Sequence, residues 1–166
     1  MYYNHTLQQQ SDLLERFVNA VCNAIILILG LSIILGLRPV YIASGSMAPT
    51  LPTGSICIAR DIDAESRLPE RGDIVLFYPE AGSDTLFAKR VIGLPGDTLW
   101  AEDDVLTING EYYDTIPGTG DWIADVPDGY VFFLGDNRGN SCDSRYFGCI
   151  ALEQLTTKIL FSLPFS

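Results

Sequence analysis

Acyl transfer by a hydroxyl requires a nucleophile on a rigid, approachable turn and a base to take its proton. The stretch Ser44-Gly45-Ser46-Met47-Ala48-Pro49-Thr50-Leu51 has the composition of such a turn. Two serines flank a glycine, which has no side chain to keep another backbone away. Pro49 fixes its own φ and steers Ala48 toward an extended conformation. The same residue types build ordinary loops, so the base decides the matter. The chain has one histidine, His5, and two lysines, Lys89 and Lys158. His5 lies before a stretch from Phe17 to Leu37 that carries no charge. If that stretch spans a membrane, His5 is on the far side from the serines. A Ser-His-Asp triad is then excluded by topology, and a lysine must serve as base.

Lys89 sits in Leu86-Phe87-Ala88-Lys89-Arg90-Val91-Ile92. Strand alternation puts Phe87, Lys89 and Val91 on one face and Arg90 on the other. An amine between an aromatic and a β-branched residue is poorly hydrated, which lowers its pKa toward that of a useful base. The competing reading is a lysine whose head snorkels to water. Lys158 lies in a similar apolar run with no polar cluster beside it. A third polar cluster is Gly135-Asp136-Asn137-Arg138-Gly139-Asn140-Ser141-Cys142-Asp143-Ser144-Arg145. Asp143 and Arg145 can form a bidentate pair there, and Ser141 can hold the lysine amine. Alone, the segment also reads as a loop of Asx-turns.

The elements that must position these groups follow from the apolar pattern. Residues 17–37 are long enough as a helix to cross a hydrocarbon core of about 30 Å, bracketed by Arg16 and Arg38. The expected organisation is a short segment 1–16, a transmembrane helix 17–37 and a domain 38–166. One arginine near each end leaves the orientation unreadable from charge. Beyond the span, short apolar runs alternate with Gly and Pro, and Asn109-Gly110 marks a two-residue hairpin. The expected class is mainly β: a small antiparallel β domain after one helix. Expected strands are 56–59, 73–78, 85–92, 97–100, 105–108, 111–113, 130–134 and 156–162. Segments 60–71 and 114–128 are read as loops, and Gly82 bounds the third run.

The formal charge is −11, all of it in excess after residue 40, which argues against binding nucleic acid. Four cysteines, Cys22, Cys57, Cys142 and Cys149, show no metal-ligand spacing. No metal or cofactor is expected. Cys142 and Cys149 can be a disulfide or two free thiols.

Taken together, Ser-Gly-Ser-Met-x-Pro-Thr-Leu, then Lys-Arg-Val-Ile-Gly-Leu-Pro-Gly-Asp, then Gly-Asp-Asn-Arg-x-Asn-Ser-x-Asp-Ser-Arg closely resemble the bacterial type I signal peptidases, or leader peptidases, which are Ser/Lys serine proteases. Arg71-Gly72-Asp73-Ile74-Val75 resembles the family segment between the first two. The likeness runs over residues 40–165, and the preceding span fits the family's anchor. The resemblance implies Ser46 as nucleophile, Lys89 as base, and Ser44 with the Ser46 amide as oxyanion hole. It implies Ser141 as the residue positioning the lysine and Asp143 with Arg145 as a supporting ion pair. Gly135 and Asn140 have structural places in it. Ile42, Leu51 and Ala88 are the implied pocket linings for small residues at the first and third positions before the cut. The implied substrates are the signal peptides of secreted preproteins. The implied setting is the bacterial cytoplasmic membrane, single-pass, with the domain outside and the translocon as a possible partner. Gly139 departs from the acidic residue common at its place, and Cys142 stands at a variable one. The acidity is unusual beside anionic lipid, so Phe77-Tyr78-Pro79 is the expected bilayer contact. Two other readings are a peptidase of the same chemistry dedicated to pilin or conjugation substrates, and an inactive module that binds signal peptides.

Overall fold

A run free of proline propagates as helix, and α1 spans Tyr2–Ile34 in the computed structural model. The structure describes residues 2–62, 68–79 and 85–163, with side chains from Leu13 onward. Gly82, the middle of the expected 60–71 loop and the last residues of the family likeness lie outside the described residues. Within α1, Leu13–Ile34 is long and apolar enough to cross a membrane, with mean hydropathy 2.4. The helix ends earlier than the expected 37: the carbonyls of Leu31 and Ile33 accept from Leu35 and Gly36, and Leu37 begins a strand. The polar residues before 17 are helical from Tyr2. The chain falls into two compact units, residues 1–38 and 39–166.

The strands are β1 (Leu37–Tyr41), β2 (Ile56–Asp61), β3 (Ile74–Phe77), β4 (Phe87–Gly93), β5 (Thr98–Glu102), β6 (Val105–Ile108), β7 (Glu111–Thr115), β8 (Trp122–Asp125), β9 (Tyr130–Leu134), β10 (Ile150–Ala151) and β11 (Leu155–Leu163), with a one-turn helix α2 (Ser144–Phe147). They form a seven-stranded sheet, β1-β2-β11-β3-β4-β9-β10, and a four-stranded sheet, β7-β6-β5-β8. Every described register is antiparallel. The mainly β expectation holds. Asn109 and Gly110 have φ +53° and +82°, the pair of positive angles that a type I′ hairpin demands.

Three strands escape the sequence reading: β1, β8 and the two-residue β10, which is too short to carry a pattern. β1 contains Pro39, which argues against a strand except at an edge, and β1 is the edge of its sheet. β8 lies inside the expected 114–128 loop, because four residues between glycine- and proline-containing turns carry little pattern.

Alternation on β3 shows how the large sheet is buried on both faces. Val75 and Phe77 pack with Val91, Val131, Phe133, Ile150 and Leu155, and the rings of Phe77 and Phe133 stack at 4.5 Å. Leu76 faces the other way, onto Ile42, Met47, Leu51, Cys57, Ala59 and Ile159. A third cluster joins Ile92, Phe132 and Leu134 to the inner face of the small sheet. Phe77 is therefore buried, not a bilayer contact, and only Tyr78 of the expected patch is exposed.

Candidate active site

The serine turn is pinned from below. Met47 and Leu51 are almost fully buried, each contributing about 1.5–3 kcal/mol by leaving water. The Leu51 amide donates to Met47 O at 2.8 Å and that of Ala48 to Gly45 O at 3.1 Å. With the two apolar side chains pointing into the core, Ser44 remains exposed and Ser46 half-buried. Their hydroxyl oxygens are 3.3 Å apart.

Lys89 lies on β4, paired with Val75 of β3, and is 3% exposed. Its Nζ donates to Ser46 Oγ at 2.6 Å, joining two positions far apart in sequence. Burial pushes the amine below the ordinary lysine range. The carboxylate of Asp143 and the thiol of Cys142 oppose that shift, and Arg145 reinforces it. The Phe87 ring lies 5.5 Å from Nζ. Lys158 instead pairs with Asp73 at 2.7 Å in a half-exposed bridge away from the serines.

The loop after β9 closes the site. Asp143 is wholly buried. Its Oδ1 accepts from Arg145 Nε at 2.8 Å, and its Oδ2 accepts from Arg145 Nη2 and from the Gly135 amide, both at 2.9 Å. Burial alone would raise its pKa. The hydrogen bonds from Arg145 and Gly135, helped by the nearby Ser141 hydroxyl, outweigh burial and hold the carboxyl below the usual range. Arg145 Nη2 also donates to Arg138 O at 2.8 Å, fixing the loop's next turn. Asn137 reaches back to the serines: its amide donates to Ser46 O at 3.0 Å and its Nδ2 to Gly45 O at 3.1 Å. Arg90, on the opposite face of β4 from Lys89, donates through Nε to Asp136 at 2.7 Å and through Nη1 to Gly72 O at 2.7 Å. Arg138 donates to Gly135 O at 3.0 Å and pairs with Asp114 of β7 at 2.8 Å.

Gly135 is required by contact. A Cβ there would lie 2.1 Å from Ser141 Oγ and 2.6 Å from Ser46 O, so only glycine lets the loop and the serine turn meet.

The expected hydrogen bond from Ser141 to the Lys89 amine is not among those of the described residues, where the buried Ser141 Oγ has no hydrogen-bond partner; it lies close enough to Asp143 to help keep that carboxyl ionised. The amine's short bond runs to Ser46 instead.

A cleft of about 440 Å³ opens over Ser46 and Lys89. Two extended segments, Val40–Ser46 and Thr85–Lys89, line it together with Leu76, Asn140 and Cys142. Ile42 and Ala88 are in this lining. Leu51 is not, because its side chain is the buried anchor of the turn. Leu76 was missed: flanked by two core residues, it reads from sequence as one more interior position. Arg90, Asp136 and Asn137 were missed as a set, since nothing local says which of them reaches across to the other segment. Cys142 and Cys149 are free thiols, and Cys57 is in the core. Among the described residues no cluster of His, Cys, Asp or Glu has the arrangement of a metal site.

Comparison with known proteins identifies the family. The family model described as signal peptidase, peptidase S26, matches residues 14–163. A signal peptidase I of Bacillus caldolyticus is 36% identical over 73% of this chain and 76% of its own. A probable signal peptidase I-2 of Synechocystis is 40% identical over 69% of this chain and 57% of its own. A signal peptidase IB of Staphylococcus aureus is 32% identical over 95% and 93%. A crystal structure of a signal peptidase I from Enterococcus faecalis is 34% identical, covers 54% of this chain and 94% of that one, and superposes with a TM-score of 0.47. The family match over nearly the whole described sequence establishes that this chain belongs to the signal peptidases, peptidase S26.

Proposed function

We propose that the chain is a signal peptidase I-type serine endopeptidase that removes N-terminal signal peptides from preproteins. The observation that carries the mechanism is the 2.6 Å approach of a buried Lys89 amine to Ser46 Oγ. In its neutral form the amine accepts the Oγ proton as Oγ attacks the scissile carbonyl. The developing oxyanion accepts hydrogen bonds from the Ser46 amide and the Ser44 hydroxyl; one such donor is typically worth about 10²–10³ in turnover. The Lys89 ammonium then gives its proton to the departing amine. The freed amine activates water, which releases the acyl group from Oγ. Asp143 and Arg145 keep the loop of Ser141 and Asn137 rigid, and Asn137 holds the Gly45 and Ser46 carbonyls.

Substrate preference follows from the cleft walls. In an extended peptide, residues two apart share one face. The first and third residues before the cut therefore share one face of the bound peptide, and the apolar wall of Ile42, Leu76 and Ala88 is the proposed surface that selects small side chains there. Leu13–Ile34 serves as a single-pass anchor in the bacterial cytoplasmic membrane. The N-terminus is cytoplasmic, and the catalytic unit is outside, where preproteins emerge from the translocon. Full-length protein incubated with a preprotein carrying Ala-x-Ala should yield one product whose mass corresponds to a cut after the second alanine. Ser46→Ala and Lys89→Ala should each abolish the product. Full activity in Lys89→Ala would overturn the mechanism.

A further inference from the structure

The small sheet has a solvent face that the catalytic reading leaves unused. Its registers place Ile123 opposite Trp100, Trp100 opposite Thr107, and Thr107 opposite Tyr112. Cross-strand partners point to the same side, so these four residues form one row across all four strands. Ile123, Trp100 and Tyr112 are 63%, 52% and 67% exposed. Val105, two residues from Thr107 and on the same face, is exposed as well. The residues that alternate with them, Leu99, Ala101, Leu106 and Ile108, are buried in the inner core. The outward apolar residues are therefore surplus to what holds the sheet on its core.

The charge around this row is of one sign. From Thr98 to Asp125 the chain has seven carboxylates and no lysine or arginine. Glu102 flanks Trp100 on the same face, and Asp121 and Asp125 flank Ile123. The described cations that reach this sheet are already engaged: Arg138 is bound to Asp114, and Arg71 lies over the ring of Tyr113, which packs on the inner core. Contiguous exposed apolar residues mark interaction surfaces, and Trp and Tyr are the side chains that anchor them. Two occupants are disfavoured by the charge. A second copy would set two acidic faces together, and an anionic bilayer would be repelled.

We infer that the outer face of β5–β8 docks a cationic, apolar polypeptide segment of a partner protein, one in which Lys or Arg alternates with apolar residues at strand spacing. The apolar side chains cover Trp100, Ile123 and Tyr112, and the cations meet Glu102, Asp121 and Asp125. Such an interface is steered by charge and weakens with salt.

The test uses the full-length protein in phosphatidylcholine nanodiscs and three fluorescein-labelled decapeptides: alternating Lys-Leu, Glu-Leu and Lys-Ser. Fluorescence anisotropy should show Lys-Leu binding well above the other two. Trp100→Ser/Ile123→Ser should weaken it by about tenfold or more, and Glu102→Lys by several-fold with a shallower salt dependence. Signal-peptide cleavage is unchanged in these variants, which shows that they fold. Lys-Leu binding that survives both variants overturns the inference, as does equal binding of Glu-Leu. Two further results would also refute it: quenching of Trp100 by brominated lipid, placing the face on the bilayer, and cross-linking of two copies through the row.

Discussion

Replacing Gly135 by alanine tests how the site is assembled. A Cβ at that position would lie 2.6 Å from Ser46 O, 2.6 Å from Ser141 Cβ and 2.1 Å from Ser141 Oγ. Rotation of the Ser141 hydroxyl relieves only the last contact. The first two involve atoms fixed by the backbone, and each is about 0.8 Å short of ordinary contact at 3.4 Å. The loop and the serine turn must therefore separate by that order, and the Asn137 bonds to Gly45 and Ser46 carbonyls hinder any easy slide. Overpacking of this kind costs about 1–3 kcal/mol of stability. For a chain of this size that is a drop of about 2–12 °C in Tm. The effect on activity should be larger, because Ser46 O belongs to the proposed nucleophile's own residue. A shift near 1 Å at a reacting group costs about 10² in rate. The assay is kcat/KM on a preprotein, with Tm measured on the same samples in detergent. A Gly135→Ala enzyme that remains folded and cleaves within threefold of the parent would refute the contact argument.

Four other outcomes follow. The lowered pKa of Lys89 makes kcat/KM rise with pH as the amine loses its proton, and the rise should plateau below the ordinary lysine value of 10.5. By linkage, the unfolded chain binds a proton that the folded site releases, so Lys89 costs stability at neutral pH and less as pH climbs to 10.5. Lys89→Met should thus be inactive yet more stable at pH 7, with the gain shrinking at high pH; unfolding melts that show a neutral-pH loss would contradict this. Asp143 has the opposite sign: its lowered pKa contributes stability above the usual carboxylate range, lost as pH falls through the folded value. Asp143→Asn leaves Arg145 buried beside a neutral partner and should cost about 3–5 kcal/mol, read from denaturant midpoints; a change under 1 kcal/mol would refute it. The Arg138–Asp114 bridge is half-exposed on the Asp114 side, so Asp114→Asn should cost under about 1 kcal/mol. Its activity should drop less than tenfold in the preprotein assay, far less than for Gly135→Ala.

The sequence by itself determined the family and most of the strands. Its one histidine, before the expected span, made lysine the proposed base, and Lys89 stood at an apolar position of a strand. Asn109-Gly110 dictated its hairpin because few residues other than Asn, Asp and Gly tolerate two successive positive φ angles. These are local facts, written in steric preference and in alternation of side chains. What only the tertiary structure decided are the meetings of distant segments. The 2.6 Å contact of Lys89 with Ser46 depends on how β1 and β4 are carried by strands between them, and Asn137 finds the serine turn for the same reason. Leu51 and Leu76 show the limit clearly. Both are leucines beside functional motifs, yet one is the buried anchor of the turn and the other a wall of the cleft. A hydrophobic residue seeks burial wherever it stands, but which partner buries it is settled by the pairing of strands remote in the chain.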